Sequence, residues 1–204
     1  MSHFSASRAI LLAGVLAATT LLGGCAVLVG GAVVGGVLSY TDRRTPGTQV
    51  EDESIEIKAG NRIGQVLGER GHVNTTSYNR SVLITGEVPT EADRDAVNQA
   101  VAGVENVRAT INELAVMGAT SLTARSNDTI LTSKVKARYV DAGDLQSNTL
   151  KVVTERSTVY LLGKVTEREA GRATELARGV SGVARVVRVF EVISEAELAG
   201  LQKK

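Results

Sequence analysis

The chain offers few side chains that could perform nucleophilic, acid–base or metal chemistry. Its 204 residues include one cysteine, Cys25, and two histidines, His3 and His72. A single cysteine excludes an intramolecular disulfide and a zinc site built on cysteines. No nucleophile is matched with a histidine base, and His72 is read as an exposed or hairpin-packing residue at a strand edge. We therefore predict no enzymatic activity, no cofactor and no metal site.

The residues before Cys25 have the layout of an export signal that is processed at the cysteine. Arg8 precedes an apolar stretch, and two small residues, Gly23 and Gly24, stand directly before Cys25. The sequence Leu-Gly-Gly-Cys at this position resembles the lipobox of bacterial lipoproteins. We therefore predict that residues 1–24 are a signal peptide.

The lipobox resemblance implies that Cys25 is acylated on its thiol and on its new amino group. Because Ala26 follows, the sorting rule of enterobacterial lipoproteins implies export to the periplasmic face of the outer membrane. The alternative is an uncleaved membrane-spanning helix over residues 9–38. Glycine pairs at 23–24, 30–31 and 35–36 interrupt that stretch, and cleavage would leave 13 residues, fewer than the roughly 20 that span a bilayer.

Charge and composition narrow the class of partner. The chain has 23 Lys and Arg against 22 Asp and Glu, no Trp and two Phe, so it lacks the features of a nucleic-acid binder. Residues 41–120 carry a net −4 and residues 121–204 a net +4, which predicts that the two halves meet different surfaces. The most acidic segment holds Glu51, Asp52, Glu53 and Glu56, and we expect an anionic surface to repel it.

One segment of the second half combines apolar and basic side chains. Lys134, Lys136 and Arg138 lie within five residues. At 100° per residue, Lys134 and Arg138 share a helix face with Ile130. An apolar tip among basic side chains is typical of peripheral contact with anionic lipid headgroups. The alternative is a solvated basic face with Ile130 in the core.

The two halves repeat one order of elements with an offset near 78 residues. Each copy has a helix, two strands around a tight turn, a second helix and a last strand. This order predicts an α+β fold in which two helices pack on a three-stranded sheet. The predicted elements are helix 54–70, strands 73–78 and 81–88, helix 91–101 and strand 104–114, then helix 129–140, strands 149–154 and 158–165, helix 167–178 and strand 183–193.

The glycines and valines of this repeat resemble the BON domain. They are Gly86, Val88, Val101, Gly103, Val104 and Val107 in the first copy, and Gly163, Val165, Val180, Gly182, Val183 and Val186 in the second. The resemblance implies two tandem BON domains, at 50–119 and 126–194. A lipidated glycine-rich spacer (25–49) would precede them, and a tail or short helix (195–204) would follow.

Lipoproteins with two BON domains imply a function for the second copy. By that resemblance, the first helix of the second domain binds anionic phospholipid, although family members typically place Trp where Ile130 stands. The implied protein is a non-enzymatic, lipid-anchored envelope protein that supports outer-membrane integrity and cell division. The alternative is a periplasmic adaptor that docks on outer-membrane assembly, division or cell-wall machinery. The lipid species, the partner and the oligomeric state stay open. The implied phospholipid-binding residues are Thr129, Ile130, Leu131, Ser133, Lys134, Lys136 and Arg138.

Overall fold

The computed structural model describes residues 42–201, so the predicted signal peptide and Cys25 lie outside the described residues. The elements in chain order are α1 (Pro46–Leu67), β1 (His72–Tyr78), β2 (Ser81–Val88), α2 (Glu91–Ala102), β3 (Ala109–Val116), α3 (Leu122–Ala142), a 3-10 turn (Ser147–Thr149), β4 (Leu150–Glu155), β5 (Thr158–Thr166), α4 (Glu167–Arg178), β6 (Arg185–Ile193) and α5 (Glu195–Leu201).

The strands form two sheets of the same topology. In the first sheet β1 pairs antiparallel with β2, and β2 pairs parallel with β3. The second sheet repeats this arrangement with β4, β5 and β6. The parallel pair in each sheet needs a crossover connection, which α2 and α4 supply. The predicted α+β fold of two helices on a three-stranded sheet is therefore confirmed for both copies.

The first helix of each copy begins earlier than the sequence predicts. α1 starts at Pro46, where Thr45 accepts a hydrogen bond from the Thr48 amide, so residues 46–49 belong to a helix and not to the spacer. α3 starts at Leu122 with Ser121 as its N-cap, seven residues before the predicted start. Asp128 stands just before the predicted start at residue 129, but it lies inside α3 and is buried.

Buried aspartates fasten each β-hairpin to its first helix. The β1–β2 turn places Asn79 and Arg80 at positive φ, as the two central residues of a type I′ hairpin turn require. Their backbone amides donate to the Asp52 carboxylate at 2.8 and 2.7 Å. In the second copy, the amides of Arg156 and Ser157 donate to Asp128 at 2.8 and 2.9 Å. Each aspartate thus satisfies amides that the turn would otherwise leave unpaired.

Steric crowding in the first sheet explains why the central strand carries a glycine, Gly86. Gly86 lies on β2 at φ +117°, and a Cβ there would come 2.0 Å from the His72 carbonyl oxygen of β1. Any other residue would force the two strands apart or strain the backbone. Gly163 occupies the same position on β5, where a Cβ would lie 2.7 Å from the Thr149 carbonyl oxygen.

The two sheets pack face to face through their central strands. β2 and β5 are buried along almost their whole length, which means that both faces of each strand are covered. On β2, Val82 and Ile84 point to the helices of their own domain, whereas Leu83 points to the other sheet. The side chains buried in this junction are Tyr78, Leu83, Tyr160 and Leu162, with Ile111, Val153, Val187 and Val189 around them.

Polar contacts surround this apolar junction. Before α1, Arg43 makes a bidentate pair with Glu169 of the second domain, with both N–O distances at 2.7 Å. Arg44 stacks 4.3 Å above the ring of Tyr78, and burial raises the pKa of Tyr78 to about 12. Further contacts cross the junction, among them Lys151 to Glu56 (2.8 Å), Asn74 to Glu155 (3.1 Å), Arg185 to Glu113 (2.8 Å) and the Lys164 amide to the Tyr78 hydroxyl (3.1 Å).

Substitution of Asp52 tests the fastening of the hairpin. Burial raises the pKa of Asp52, but hydrogen bonds from Ser77, Arg80 and Arg44 outweigh it and hold that pKa below 3.8. The carboxylate therefore stabilises the fold above pH 3.8, and this contribution is lost as the pH falls further. We expect Asp52→Asn to reduce the unfolding free energy by about 2–4 kcal/mol at pH 7. The unfolding free energy of this variant should also decrease less steeply than that of the wild type as the pH is lowered.

Urea denaturation at pH 7 and at a series of lower pH values measures both effects. Glu53→Gln is the matched control, because Glu53 is exposed on the next position of α1 and should change stability by about 0.5 kcal/mol or less. Equal stability of the two variants at pH 7 would contradict the assigned contact.

Candidate lipid interface

α3 divides cleanly into an inner and an outer face. Asp128, Leu131, Val135 and Tyr139 are buried on the inner face, and the Tyr139 hydroxyl donates to the Ala173 carbonyl oxygen at 3.0 Å. Leu131 is only 6% exposed. The structure therefore removes Leu131 from the predicted phospholipid-binding residues, because its side chain already belongs to the stripe that packs on the domain.

The outer face of α3 carries a ridge of large apolar side chains. Leu122 is 78% exposed, Ile130 is 53% exposed and Val140 is 67% exposed. At 100° per residue these three side chains fall within about 80° of one another around the helix axis. At 1.5 Å per residue the ridge is about 27 Å long. The alternative prediction, that Ile130 lies in the core, is wrong.

Basic side chains flank this ridge on both sides. Lys134 and Arg138 follow Ile130 at successive turns of α3, whereas Lys136 lies on the opposite flank, beside Val140. All three are exposed, and none forms a salt bridge within residues 42–201. Their charges are therefore free to meet an anionic surface.

The hydroxyl residues of the predicted site have a local structural use. The Thr129 hydroxyl donates to the Arg125 carbonyl oxygen, and the Ser133 hydroxyl donates to the Thr129 carbonyl oxygen, both at 3.1 Å. Such bonds to the preceding turn keep the hydroxyls close to the helix backbone. Thr129 and Ser133 are both exposed, so they add polar surface beside the ridge without adding charge.

Sequence reasoning missed two of the three ridge residues. Leu122 and Val140 lie at the ends of α3, and the predicted helix of 129–140 excluded the first and ended on the second. The signal that could have found Leu122 is Ser121, a good N-cap residue placed directly before it. None of the helices in the described part of the chain is long and apolar enough to cross a bilayer.

The equivalent helix of the first domain presents a different surface. α1 also exposes three apolar side chains, Val50 at 68%, Ile57 at 65% and Val66 at 41%. Its predicted acidic surface is smaller than the sequence suggests, because Asp52 is buried and Glu56 pairs with Lys151 at 2.8 Å. Glu51 and Glu53 therefore carry most of this acidic surface, and its expected repulsion of an anionic membrane stays a prediction.

His72, the histidine considered for catalysis, lies at the first position of β1. Burial and the nearby Arg125 lower the pKa of His72, while Glu87 opposes them. Its Nε2 atom is 3.1 Å from the Asn74 amide nitrogen. Within residues 42–201, no group of three or more Cys, His, Asp or Glu side chains is placed to hold a metal ion.

Comparison with known sequences identifies the family. The sequence profile of the BON domain matches residues 52–118 and 127–194, which together make up more than half of the chain. Each match covers one of the two α-β-β-α-β units described above. The chain therefore belongs to the BON domain family, with two copies of the domain.

Several relatives align with most of the chain. The chain is 40% identical to "Outer membrane lipoprotein DolP" of Haemophilus influenzae over 187 residues, covering 89% of this chain and 95% of the relative. It is 30% identical to a "21 kDa hemolysin" of Actinobacillus pleuropneumoniae, over 74% of this chain and 79% of the relative. It is 26% identical to "Osmotically-inducible protein Y" of Escherichia coli K12, over 69% of this chain and 72% of that protein.

The first of these relationships confirms the localisation expected from the sequence. The Haemophilus protein is named an outer membrane lipoprotein, and the match covers almost the whole of both chains. The chain is accordingly placed at the outer membrane as a lipid-anchored protein. Cys25 as the acylated residue stays a prediction, because it lies outside the described residues.

Adjacent residues of α3 allow a direct test of its two faces. We expect Leu131→Ala to reduce the unfolding free energy by about 2–4 kcal/mol, because it opens a cavity under the helix. Ile130→Ala should change it by about 0.5 kcal/mol or less, because that side chain faces solvent. Urea denaturation measures both. A larger loss for Ile130→Ala than for Leu131→Ala would show that the two faces are assigned the wrong way round.

Proposed function

We propose that the protein binds anionic phospholipid through the outer face of α3, in addition to its lipid anchor. The observation that supports this most strongly is the exposed apolar ridge of Leu122, Ile130 and Val140 with basic residues on both flanks. A helix of this kind lies in the plane of the interface, with its apolar side chains among the acyl chains and its basic groups at the headgroups.

The expected affinity of α3 for a membrane is low when α3 acts alone. Each basic side chain near an anionic surface contributes about 1 kcal/mol, so Lys134, Lys136 and Arg138 together contribute about 3 kcal/mol. Burial of the ridge adds roughly 25 cal/mol for each Å² of apolar surface removed from water. An anchor at Cys25 would hold α3 near the membrane and turn a weak contact into a persistent one. Contact through α3 would then respond to the local density of anionic lipid.

A non-enzymatic function in the envelope follows from this proposal. A protein that is fixed to the outer membrane and reads anionic lipid can concentrate where such lipid is enriched. We propose that it supports membrane integrity and cell division in this way, by marking or organising a region of the membrane. No step of this function requires a reacting group.

A second candidate function is that of a protein adaptor. Val50 and Ile57 are exposed on α1 in the domain that carries the net negative charge, and this surface differs from the basic surface of α3. Components of the outer-membrane assembly, division or cell-wall machinery are the proposed partners. Lipid binding through α3 and protein binding through α1 are compatible, because the two surfaces belong to different domains.

Liposome flotation tests the lipid proposal without the anchor. The chain from Ser39 onward should float with vesicles that contain phosphatidylglycerol and should stay at the bottom with pure phosphatidylcholine. Ile130→Glu and Lys134→Glu should each reduce the floated fraction at least fivefold, because one removes an inserting side chain and the other reverses a contact charge.

The first domain supplies the matched control for this experiment. Lys58→Glu makes the same charge reversal on α1, at the position that corresponds to Lys134 when Asp52 is aligned with Asp128. It should leave flotation unchanged. Equal losses for Lys58→Glu and Lys134→Glu would show that only the net charge matters and that α3 is not the contact surface.

A further inference from the structure

A small polar cleft of about 150 Å³ lies where the two domains meet beside α3, and it opens to solvent. Residues of three elements enclose it: the start of β1, the first half of α3 and the end of β4. Most of its lining groups are hydrogen-bond acceptors or hydroxyls, and few are apolar. They are His72, Asn74, Arg125, Asp128, Thr129, Thr132, Thr154 and Glu155.

The internal repeat explains why a cleft exists at this place. Aligning Asp52 with Asp128 and the two hairpin turns matches α1 to α3 and β1 to β4. Under this alignment the junction has two similar arms, each formed by a first helix and the first strand of the other domain. In one arm, Lys151 of β4 reaches Glu56 of α1 at 2.8 Å and the Ser77 carbonyl oxygen at 3.4 Å. An ammonium group therefore fills that arm.

The other arm has the same backbone positions but shorter side chains. Asn74 of β1 stands where Lys151 stands in the first arm, and Thr132 of α3 stands where Glu56 stands. Both residues line the cleft. The cleft is thus the space that a lysine–glutamate pair occupies in the first arm, and in this arm none of residues 42–201 supplies an ammonium group to it.

The acceptors that would hold an ammonium group are present in the cleft. Glu155 is 4% exposed, and its Oε2 atom accepts from the Asn74 amide at 3.1 Å. Its Oε1 atom makes no hydrogen bond within residues 42–201, so it can accept one from a ligand in the cleft. The Thr132 hydroxyl donates to the Thr154 hydroxyl at 2.7 Å, so the lone pairs of Thr132 remain free to accept.

The charges around Glu155 favour a cationic ligand. Burial raises the pKa of Glu155 and the nearby Glu87 and Asp128 raise it further, whereas Asn74 and Arg156 lower it. Asp128 is already engaged by two hairpin amides, whereas Glu155 accepts one hydrogen bond, from the Asn74 side chain. A bound ammonium group would supply the missing positive charge.

Arg125 also favours an anionic group at the edge of the cleft. Its Nε atom donates to the Thr120 hydroxyl at 3.5 Å, and its terminal nitrogens make no hydrogen bond or salt bridge within the described part of the chain. A guanidinium group at the edge of the cleft suits a phosphate or carboxylate. We propose that this cleft binds a small zwitterion, with its primary ammonium group at Glu155 and Thr132 and its anionic group at Arg125. This ligand site does not depend on the proposed membrane contact of α3.

Titration with phosphoethanolamine tests the proposal on the acylated chain in phosphatidylcholine nanodiscs, whose headgroups have no N–H group. The imidazole NMR signal of His72 reports on the cleft, because His72 lines it. We expect the signal to shift and to saturate at millimolar phosphoethanolamine. Phosphocholine should cause no saturable shift, because its quaternary ammonium cannot donate a hydrogen bond. Glu155→Gln should weaken binding of phosphoethanolamine at least tenfold.

A double variant separates loss of the site from loss of the fold. Asn74→Lys with Thr132→Glu rebuilds the ion pair of the first arm, so it should fill the cleft, abolish binding and preserve the melting temperature. Glu53→Gln, an exposed acid on α1, should bind like the wild type. Equal affinity for phosphocholine or inorganic phosphate, an unchanged affinity in Glu155→Gln, or no shift at all would overturn the proposal.

Replacing the phosphatidylcholine nanodiscs with phosphatidylethanolamine nanodiscs shows whether the ligand is a lipid headgroup or a free zwitterion. If a lipid headgroup occupies the cleft, phosphatidylethanolamine nanodiscs will shift the His72 signal without added ligand, and the double variant will not respond. If a free zwitterion is the ligand, only soluble phosphoethanolamine will shift it. Both results support the ammonium site and leave the separate flotation test of α3 unaffected.

Discussion

The face-to-face packing of the two sheets is the constraint on which the rest of the structure depends. Tyr78, Leu83, Tyr160 and Leu162 are at most 5% exposed in this junction. Because the central strands are covered on both faces, each sheet keeps its own helices on its other side. The first helix of each domain therefore has an inner face on its own core and an outer face toward solvent.

The two domains thus share one fold but present two different surfaces. Asp52 and Asp128 perform the same task, fastening a hairpin turn to the first helix. Beyond this shared contact the copies diverge: α1 sends Glu56 into the junction, whereas α3 turns basic residues and an apolar ridge outward. Duplication supplies the scaffold, and substitution at exposed and junction positions supplies the chemistry. The cleft beside α3 is a direct product of this divergence.

Local sequence signals predicted most strands and the second helices closely, because alternating apolar residues and the N-cap residues Thr90 and Thr166 act within a few residues. β3 is the exception, since it begins at Ala109 and not at residue 104 as predicted. The start of α3 was missed because Asp128 satisfies a local rule for a first-turn acid, while its actual partners are turn amides 28 and 29 residues later. Leu131 was assigned to the lipid surface by family resemblance although its spacing with Val135 and Tyr139 indicated the core. The junction and the cleft were beyond sequence reasoning, since they depend on which strand faces which across two domains.

The central claim is that the outer face of α3, held outward by the sheet junction, is the surface that meets the membrane. Electron paramagnetic resonance depth measurements on anionic bilayers test it directly, with single spin labels at positions 122, 130 and 140 of α3 and at positions 50 and 57 of α1. We expect the three α3 labels to lie below the headgroups and the two α1 labels to stay in water. Insertion of the α1 labels, with the α3 labels in water, would contradict it.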